Sequence, residues 1–377
     1  MQRRPTPRGF LLRLTVSAWE DATGLRVAVI GAGPAGLIAA RELARNDANV
    51  VVFEKHEEIG RPVRCGEALF DLYHILPGSP SNSRSKIDEI LVKVEGLHSI
   101  RVGSTPVWIL DKDLWLASLA QEVESLGAEV AAGTAAAIQP LRHAYDYVLD
   151  CSGFPSQSSR EYGITPPQTA LAIQYKVRAD VRTLWRRLYL RFLPRTVGYG
   201  WIFPKSPGEA NVGIGWAKNP PAQKWRRLES FLSQELDDYT VVSKTAGCIP
   251  LGVVHRLKVE NLLICGDAAA LANPYHAGGI HSALLSGWIA ARSIIEGHPD
   301  AYGPRLLSRI DGEMKVARFA RSVIEESPYY HDKMVSYLSR EYSIDEIFSL
   351  QTYRRMLPFI HMWKATRLLD RTVLRHH

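Results

Sequence analysis

The stretch VRCGE at 63–67 sets a cysteine between an arginine and a glycine. A thiol beside a guanidinium is a candidate for proton or thiolate chemistry, because the positive charge favours the ionised sulfur. Arg64 would also neutralise a phosphate, and Gly66 lets the backbone pass close to a ligand. Some thirty residues earlier, VIGAGPAGL places Gly31, Gly33 and Gly36 in GxGxxG spacing around Pro34 and Ala35. Such a turn brings backbone N–H groups against a pyrophosphate. Glu54 follows Gly36 by eighteen residues, with Lys55 next to it. A carboxylate there accepts ribose hydroxyls and repels a 2′-phosphate, so the turn suits FAD or NAD and not NADP.

These residues need a strand, a helix and a second strand to hold them. Val27–Ile30 is a short apolar run of the kind a buried parallel strand requires, and Val50–Phe53 is another. Between them Leu37, Ala40, Leu43 and Ala44 share one helical face. A lone GxGxxG is weak evidence, but one with all these elements in register is strong. The second half of the site comes much later, in ENLLICGDAAALANPYHAGGIHSALLSG at 260–287. Leu262–Cys265 is again a buried-strand run. Gly266 and Asp267 follow it and supply close backbone approach and an acid for sugar hydroxyls. Asn273 and Pro274 set the entry to a loop that reaches Gly278, Gly279 and Ile280, where a small-residue helix begins.

The chain has 377 residues, 46% of them hydrophobic, enough for two domains or one large discontinuous one. Its net charge of +7 forms no long Lys/Arg block, so nucleic-acid binding is not expected and an anionic membrane surface or phosphorylated substrate suits it better. The four cysteines form no CxxC pair, which excludes the usual zinc spacings and points to a reducing compartment. Cys151, Cys248 and Cys265 read as buried small apolar residues. No apolar stretch approaches the roughly 18 residues of a spanning helix. Residues 1–24 read as a disordered basic leader rather than a signal peptide. A cytoplasmic protein is expected, with peripheral attachment at the inner face of the membrane as an option.

From 166 to 249 the texture changes. Leu171, Ile173, Tyr175 and Val177 alternate with other residues, and YGWIFP and ANVGIGW follow across turns, which predicts an antiparallel sheet. Tyr199, Trp201 and Phe203 fall on one face of it.

In this order, VRCGEAL, DCSGFPS, YGWIFPK and GDAAALANPYHAGGI resemble the geranylgeranyl reductase family, over residues 25 to about 300. The resemblance implies a glutathione-reductase-like, hydroxylase-type FAD-binding α/β fold with an inserted β-sheet. The FAD domain is then expected over 25–80, 105–165 and 250–300, the substrate sheet over 81–104 and 166–249, and a helical region over 301–377. It implies FAD contacts from Cys65 and from Gly153 in the DCSGFPS turn, and from Lys112, which stands where the family usually has arginine. Thr196 replaces a family proline, Ala277 replaces the first glycine of a usual GGG, and His276 and His281 differ from the family too. The substrate and the saturation pattern are where this chain would part from its relatives.

The activity implied is reduction of isolated alkenes in an isoprenoid lipid, with electrons from NAD(P)H or ferredoxin, by a monomer. Hydride goes to one alkene carbon and a proton to the other. Tyr199, Trp201 and Phe203 are expected to line the pocket, and Cys65 and His276 are the candidates for moving the proton. The alternatives are an aromatic hydroxylase on the same fold or a flavin- and lipid-binding protein without turnover. The apolar residues Phe359, Met362, Trp363, Leu369 and Val373 oppose Lys364, Arg367, Arg371 and Arg375. That pattern suits either an anionic membrane interface or packing on the chain's own domain.

Overall fold

The computed structural model describes residues 24–193, 196–347 and 354–355; the leader up to residue 23 and the amphipathic stretch from Phe359 lie outside the described residues. Four buried aliphatic residues follow Arg26 in β1 (Arg26–Ile30), which leads into α1 (Pro34–Ala44) and then β2 (Asn49–Phe53). Short strands come next: β3 (Ala68–Phe70), β4 (Ser83–Lys86), β5 (Glu89–Lys93), β6 (Leu97–Arg101) and β7 (Val107–Leu110). The chain continues through α2 (Lys112–Ser125), β8 (Glu129–Ala131), α3 (Ile138–Ala144), β9 (Tyr147–Asp150) and α4 (Gln157–Tyr162). The long strands are β10 (Gln168–Ala179), β11 (Arg187–Phe192), β12 (Gly198–Ser206) and β13 (Glu209–Trp216), then β14 (Tyr239–Leu251) after α5 (Lys224–Glu235). Last are β15 (Lys258–Val259), β16 (Leu262–Ile264), α6 (Ile280–Ile295), α7 (Tyr302–Glu326), α8 (Pro328–Glu341) and α9 (Ile344–Ile347).

Three sheets form among the described residues. The first runs β15-β16-β9-β1-β2-β8, with parallel pairing throughout except at β15. Its strands are almost wholly apolar because helices cover it, as parallel sheets require. The second runs β14-β10-β13-β12-β11-β5-β6, and the third, β3-β7-β4, brackets β5 and β6 in sequence. Residues 89–101 thus join the second sheet through the parallel pairing of β5 with β11. Helices α8 and α9 cover the far end of that sheet: Val335, Leu338, Ile344 and Ile347 pack with Ile90, Val92 and Leu188.

In β12 the alternation sorts side chains cleanly. Tyr199, Trp201 and Phe203 face the cavity described below, while a Cβ on Gly200 would meet the Phe231 ring of α5 on the other face at 2.6 Å. Cys248 departs from its expected burial. It lies on β14, the edge strand of its sheet, and is exposed, whereas Cys151 and Cys265 are buried at adjoining strand ends. No helix among the described residues is long and apolar enough to cross a membrane.

The Trp201 indole lies flat over Gly213 of the neighbouring strand. A Cβ there would stand 2.2 Å from Cζ2 of Trp201 and 2.6 Å from the Ile173 carbonyl oxygen. Gly213→Ala is expected to destabilise the protein by about 1–3 kcal/mol through this overpacking, measured by denaturant unfolding. An unchanged midpoint would show that the Trp201 wall yields.

Candidate active site

At the carboxyl edge of the first sheet, three turns converge on one cavity of about 530 Å³. Gly31 holds φ +105°, and a Cβ on it would be 2.4 Å from the Cys151 carbonyl oxygen. Gly33 is the opposite case: a Cβ there would meet nothing within 4 Å. The backbone is therefore bare on the side that faces the cavity. Pro34 opens α1, whose first turn has no acid and no side-chain cap. Its leading N–H groups and positive dipole end are left for an anion. Glu54 closes this end, its carboxylate accepting from the Ala32 and His56 N–H groups at 3.0 Å each. Asp150 is buried and shapes the second turn, accepting from the N–H groups of Ser152 and Ser158 at 3.1 and 2.8 Å. Gly153 follows it at the cavity wall. The third turn presents Asp267 to the cavity. Its side chain is exposed to the cavity yet lies deep among protein atoms; that enclosure pushes the carboxyl up, and the Lys112 ammonium partly offsets it.

The Cys65 turn is fixed by side chains from the second sheet. Gln174 donates to the Cys65 carbonyl at 3.0 Å and accepts from the Trp201 indole N–H at 3.1 Å. A Cβ on Gly66 would stand 3.0 Å from the Phe203 ring. Glu67 is buried and accepts from Lys205 Nζ at 2.6 Å, Asn211 Nδ2 at 2.7 Å and the Lys112 backbone N–H at 2.8 Å. Lys205 also reaches Asp111 at 2.7 Å, and Asp111 pairs with Arg84. Burial opposes the lysine's charge, but Glu67 and Asp111 hold its pKa above the usual value.

The 273–279 loop has a buried frame of its own. Glu313 of α7 accepts from Tyr73 Oη at 2.7 Å and Asn273 Nδ2 at 2.8 Å, and lies 2.9 Å from His281 Nε2. Burial works against this carboxylate, yet His281, His276 and Asn273 together hold it at about 2. His276 lines the cavity, and its Nδ1 accepts from the Gly278 N–H at 3.1 Å. Burial pushes its imidazole down to about 4, so the ring is neutral near pH 7. Tyr199 donates to the His276 carbonyl oxygen.

Past the aromatic wall the cavity continues as an apolar arm. Ile90, Val92 and Leu188 line it from the sheet, and Val316 and Ala320 line it from α7. Val335 and Leu338 of α8 line it further on.

Gly31, Gly33, Pro34, Ala35, Glu54, Lys55, Arg64, Cys65, Gly66, Lys112, Gly153, Gly266, Asp267, Gly278, Gly279 and Ile280 all border this cavity, as do Tyr199, Trp201, Phe203 and His276. Gly36 stands behind the turn, where a Cβ would be 2.0 Å from the Gly31 carbonyl oxygen. Sequence reasoning missed Glu67, Gln174, Lys205, Asn211 and Glu313. One signal was available for Lys205. It continues the 199, 201, 203 alternation, so a cation sits on an otherwise aromatic face and needs a buried acid. The arm's helices carry no motif and left no signal of that kind.

Residues 29–71 match the NAD(P)-binding Rossmann-like domain model, and residues 172–249 match the geranylgeranyl reductase catalytic domain model. A digeranylgeranylglycerophospholipid reductase of Methanosarcina acetivorans is 30% identical over 310 residues, covering 72% of this chain and 75% of the relative. The chain belongs to the geranylgeranyl reductase family. A digeranylgeranylglycerophospholipid reductase of Methanosphaerula palustris is 27% identical over 91% of this chain and 90% of its own length. In structure, the reductase resembles a geranylgeranyl bacteriochlorophyll reductase-like protein of Thermoplasma acidophilum, with TM-score 0.75 and 24% identity over 86% of this chain and 94% of that one. A flavin-dependent brominase variant shares the fold at TM-score 0.66 and 14% identity, covering 87% of this chain and 99% of that one. The reductase is thus an oxidoreductase of the flavin-dependent fold.

Two outcomes are expected here. Gly33→Ala should lower the unfolding midpoint of the flavin-free protein only slightly, since its Cβ would meet no protein atom within 4 Å and only the glycine preference at the α1 N-cap is lost, yet weaken flavin retention at least tenfold. Equal retention in a flavin titration would show that the bare backbone is not the phosphate seat. The Glu313 carboxylate, held below its ordinary 4.5, contributes stability above that pH and loses it as pH falls to about 2. Glu313→Gln should flatten that limb in unfolding curves taken between pH 5 and 2.

Proposed function

We propose that this chain is an FAD-dependent reductase of isolated C=C bonds in the geranylgeranyl chains of a lipid. The observation that carries the reading is the continuity of the dinucleotide groove with the apolar arm, which meet where Cys65, Trp201 and Phe203 come together. The pyrophosphate would lie on Gly31–Gly36, with Glu54 and Asp267 toward the sugar hydroxyls and the 273–279 loop toward the ring. When bound and reduced, the flavin supplies the hydride.

The chain's own residues do the rest. A methylene moved from water into an apolar wall gains ~0.8 kcal/mol, so the arm rather than a head group dominates retention of a long isoprenoid. An isolated alkene has no carbonyl to hold negative charge, and its protonated side develops cationic character. The electron-rich faces of Tyr199, Trp201 and Phe203 stabilise that character with water excluded. Cys65 and His276 are the two wall groups we assign to moving the proton. A neutral His276 must first take up a proton from solvent to act as an acid, whereas a thiol brings its own.

The test is anaerobic. Flavin-loaded protein is reduced chemically and mixed with geranylgeranylated phospholipid in detergent, and flavin absorbance and product mass are followed together. Reoxidation with mass gains in steps of two hydrogens is expected; reoxidation only on admitting oxygen would replace this reading with the hydroxylase one. Cys65→Ala is expected to retain flavin and lose about 100-fold in turnover, within the range of acid–base contributions. If instead turnover climbs as pH falls from 7 toward 4, and His276→Gln abolishes the climb, the proton comes from His276.

A further inference from the structure

We propose that Lys205 is a positioning residue that holds the Cys65 turn and the start of α2 in their working geometry. The inference rests on the reading of Cys65 given above and deepens it.

Glu67 adopts φ +67°, the left-handed region that disfavours a residue with a side chain. The surroundings must therefore hold it there. They do so through its carboxylate, which takes hydrogen bonds from three separate elements: Lys205 at the end of β12, Asn211 on β13 and the first N–H of α2. Each residue of the turn is tied to the second sheet. The Cys65 carbonyl accepts from Gln174, and the Gly66 carbonyl accepts from Asn211 at 3.2 Å. The Glu67 N–H in turn lies 3.2 Å from Cys65 Sγ, so the strained residue sets where the sulfur points.

Lys205 joins both ends of this arrangement. It is 3% exposed and bridges Glu67 to Asp111, the residue immediately before α2. Lys112, one of the cations that border the cavity and the first residue of that helix, is thereby set by the same ammonium that sets Cys65. Removing it leaves the buried Glu67 with no cation, held only by Asn211 and the Lys112 N–H, and the half-buried Asp111 with Arg84 alone. The turn is then free to leave the left-handed conformation and carry Cys65 away from the Trp201 and Phe203 wall.

The readout is the alkylation rate of Cys65 by iodoacetamide in the purified, flavin-loaded protein, resolved by peptide mass in a Cys248→Ser background because Cys248 is exposed. Lys205→Met is expected to change that rate at least tenfold and to lower kcat at least tenfold with KM within threefold. Asn211→Ala leaves the ion pair in place but releases both the Gly66 carbonyl and one bond to the Glu67 carboxylate, and it is expected to shift the rate about threefold or more in the same direction. Lys205→Arg, which keeps the charge, is expected to restore part of the wild-type rate. If Lys205→Met alkylates at the wild-type rate, the ion pair serves stability alone and the inference is overturned. Should Lys205→Met fail to fold, Lys205→Gln, which keeps a hydrogen-bond donor and removes the charge, decides in its place. Alkylation is independent of turnover, so full activity in Cys65→Ala would sink the proton role of Cys65 and leave the positioning role of Lys205 to stand or fall on the alkylation rates.

Discussion

Parallel pairing of β9 between β1 and β16 is the constraint on which the site depends. The three strands end together, and their hydrogen bonds run one residue past the ladders: the Cys151 N–H donates to the Ile30 carbonyl and the Cys265 N–H to the Asp150 carbonyl, each at 2.9 Å. Segments around residues 31, 152 and 266 are thereby stacked at one carboxyl edge. That edge is where an open parallel sheet leaves a crevice between its loops. Gly31 is needed because the strands pack so closely that the Cys151 carbonyl occupies the place of a Cβ.

The apolar cavity beyond that edge is bounded by buried charge. Glu67 with Lys205 lies under the Cys65 turn, and Glu313 with His281 lies under the 273–279 loop. Burying an ion is costly unless its partners are well placed, and these acids have three hydrogen-bonding neighbours each. Loops crossing an apolar pocket have few polar neighbours to hold them. A buried acid gives each loop one directional anchor shared among several elements, which a greasy contact does not supply.

The pocket is a joint product of all the layers. The second sheet contributes the aromatic wall through one face of β12, and the same strand's other face is filled by α5. Helices α7 and α8 then roof the arm, so chain well beyond the flavin motifs builds much of the site in which a long apolar substrate would lie.

The glycine turn was legible in the amino-acid sequence because its requirements are local. A turn with no room for a Cβ at Gly31 or Gly36, a strand on either side and an acid at the end of the second one all lie within thirty residues. The aromatic face of β12 was legible for the same reason, since a period of two is a property of one strand. Cys248 shows the limit. Its neighbours read as apolar, but whether a strand lies at the edge or the centre of a sheet depends on pairing partners far along the chain. The partners of Glu67 and Glu313 and the walls of the arm were decided in the same way, by tertiary structure alone. Lys205 is 138 residues from Glu67, and Glu313 is 240 from Tyr73. No local preference specifies contacts at such separations; they exist because the sheets bring those backbones together and a buried charge accepts no other arrangement.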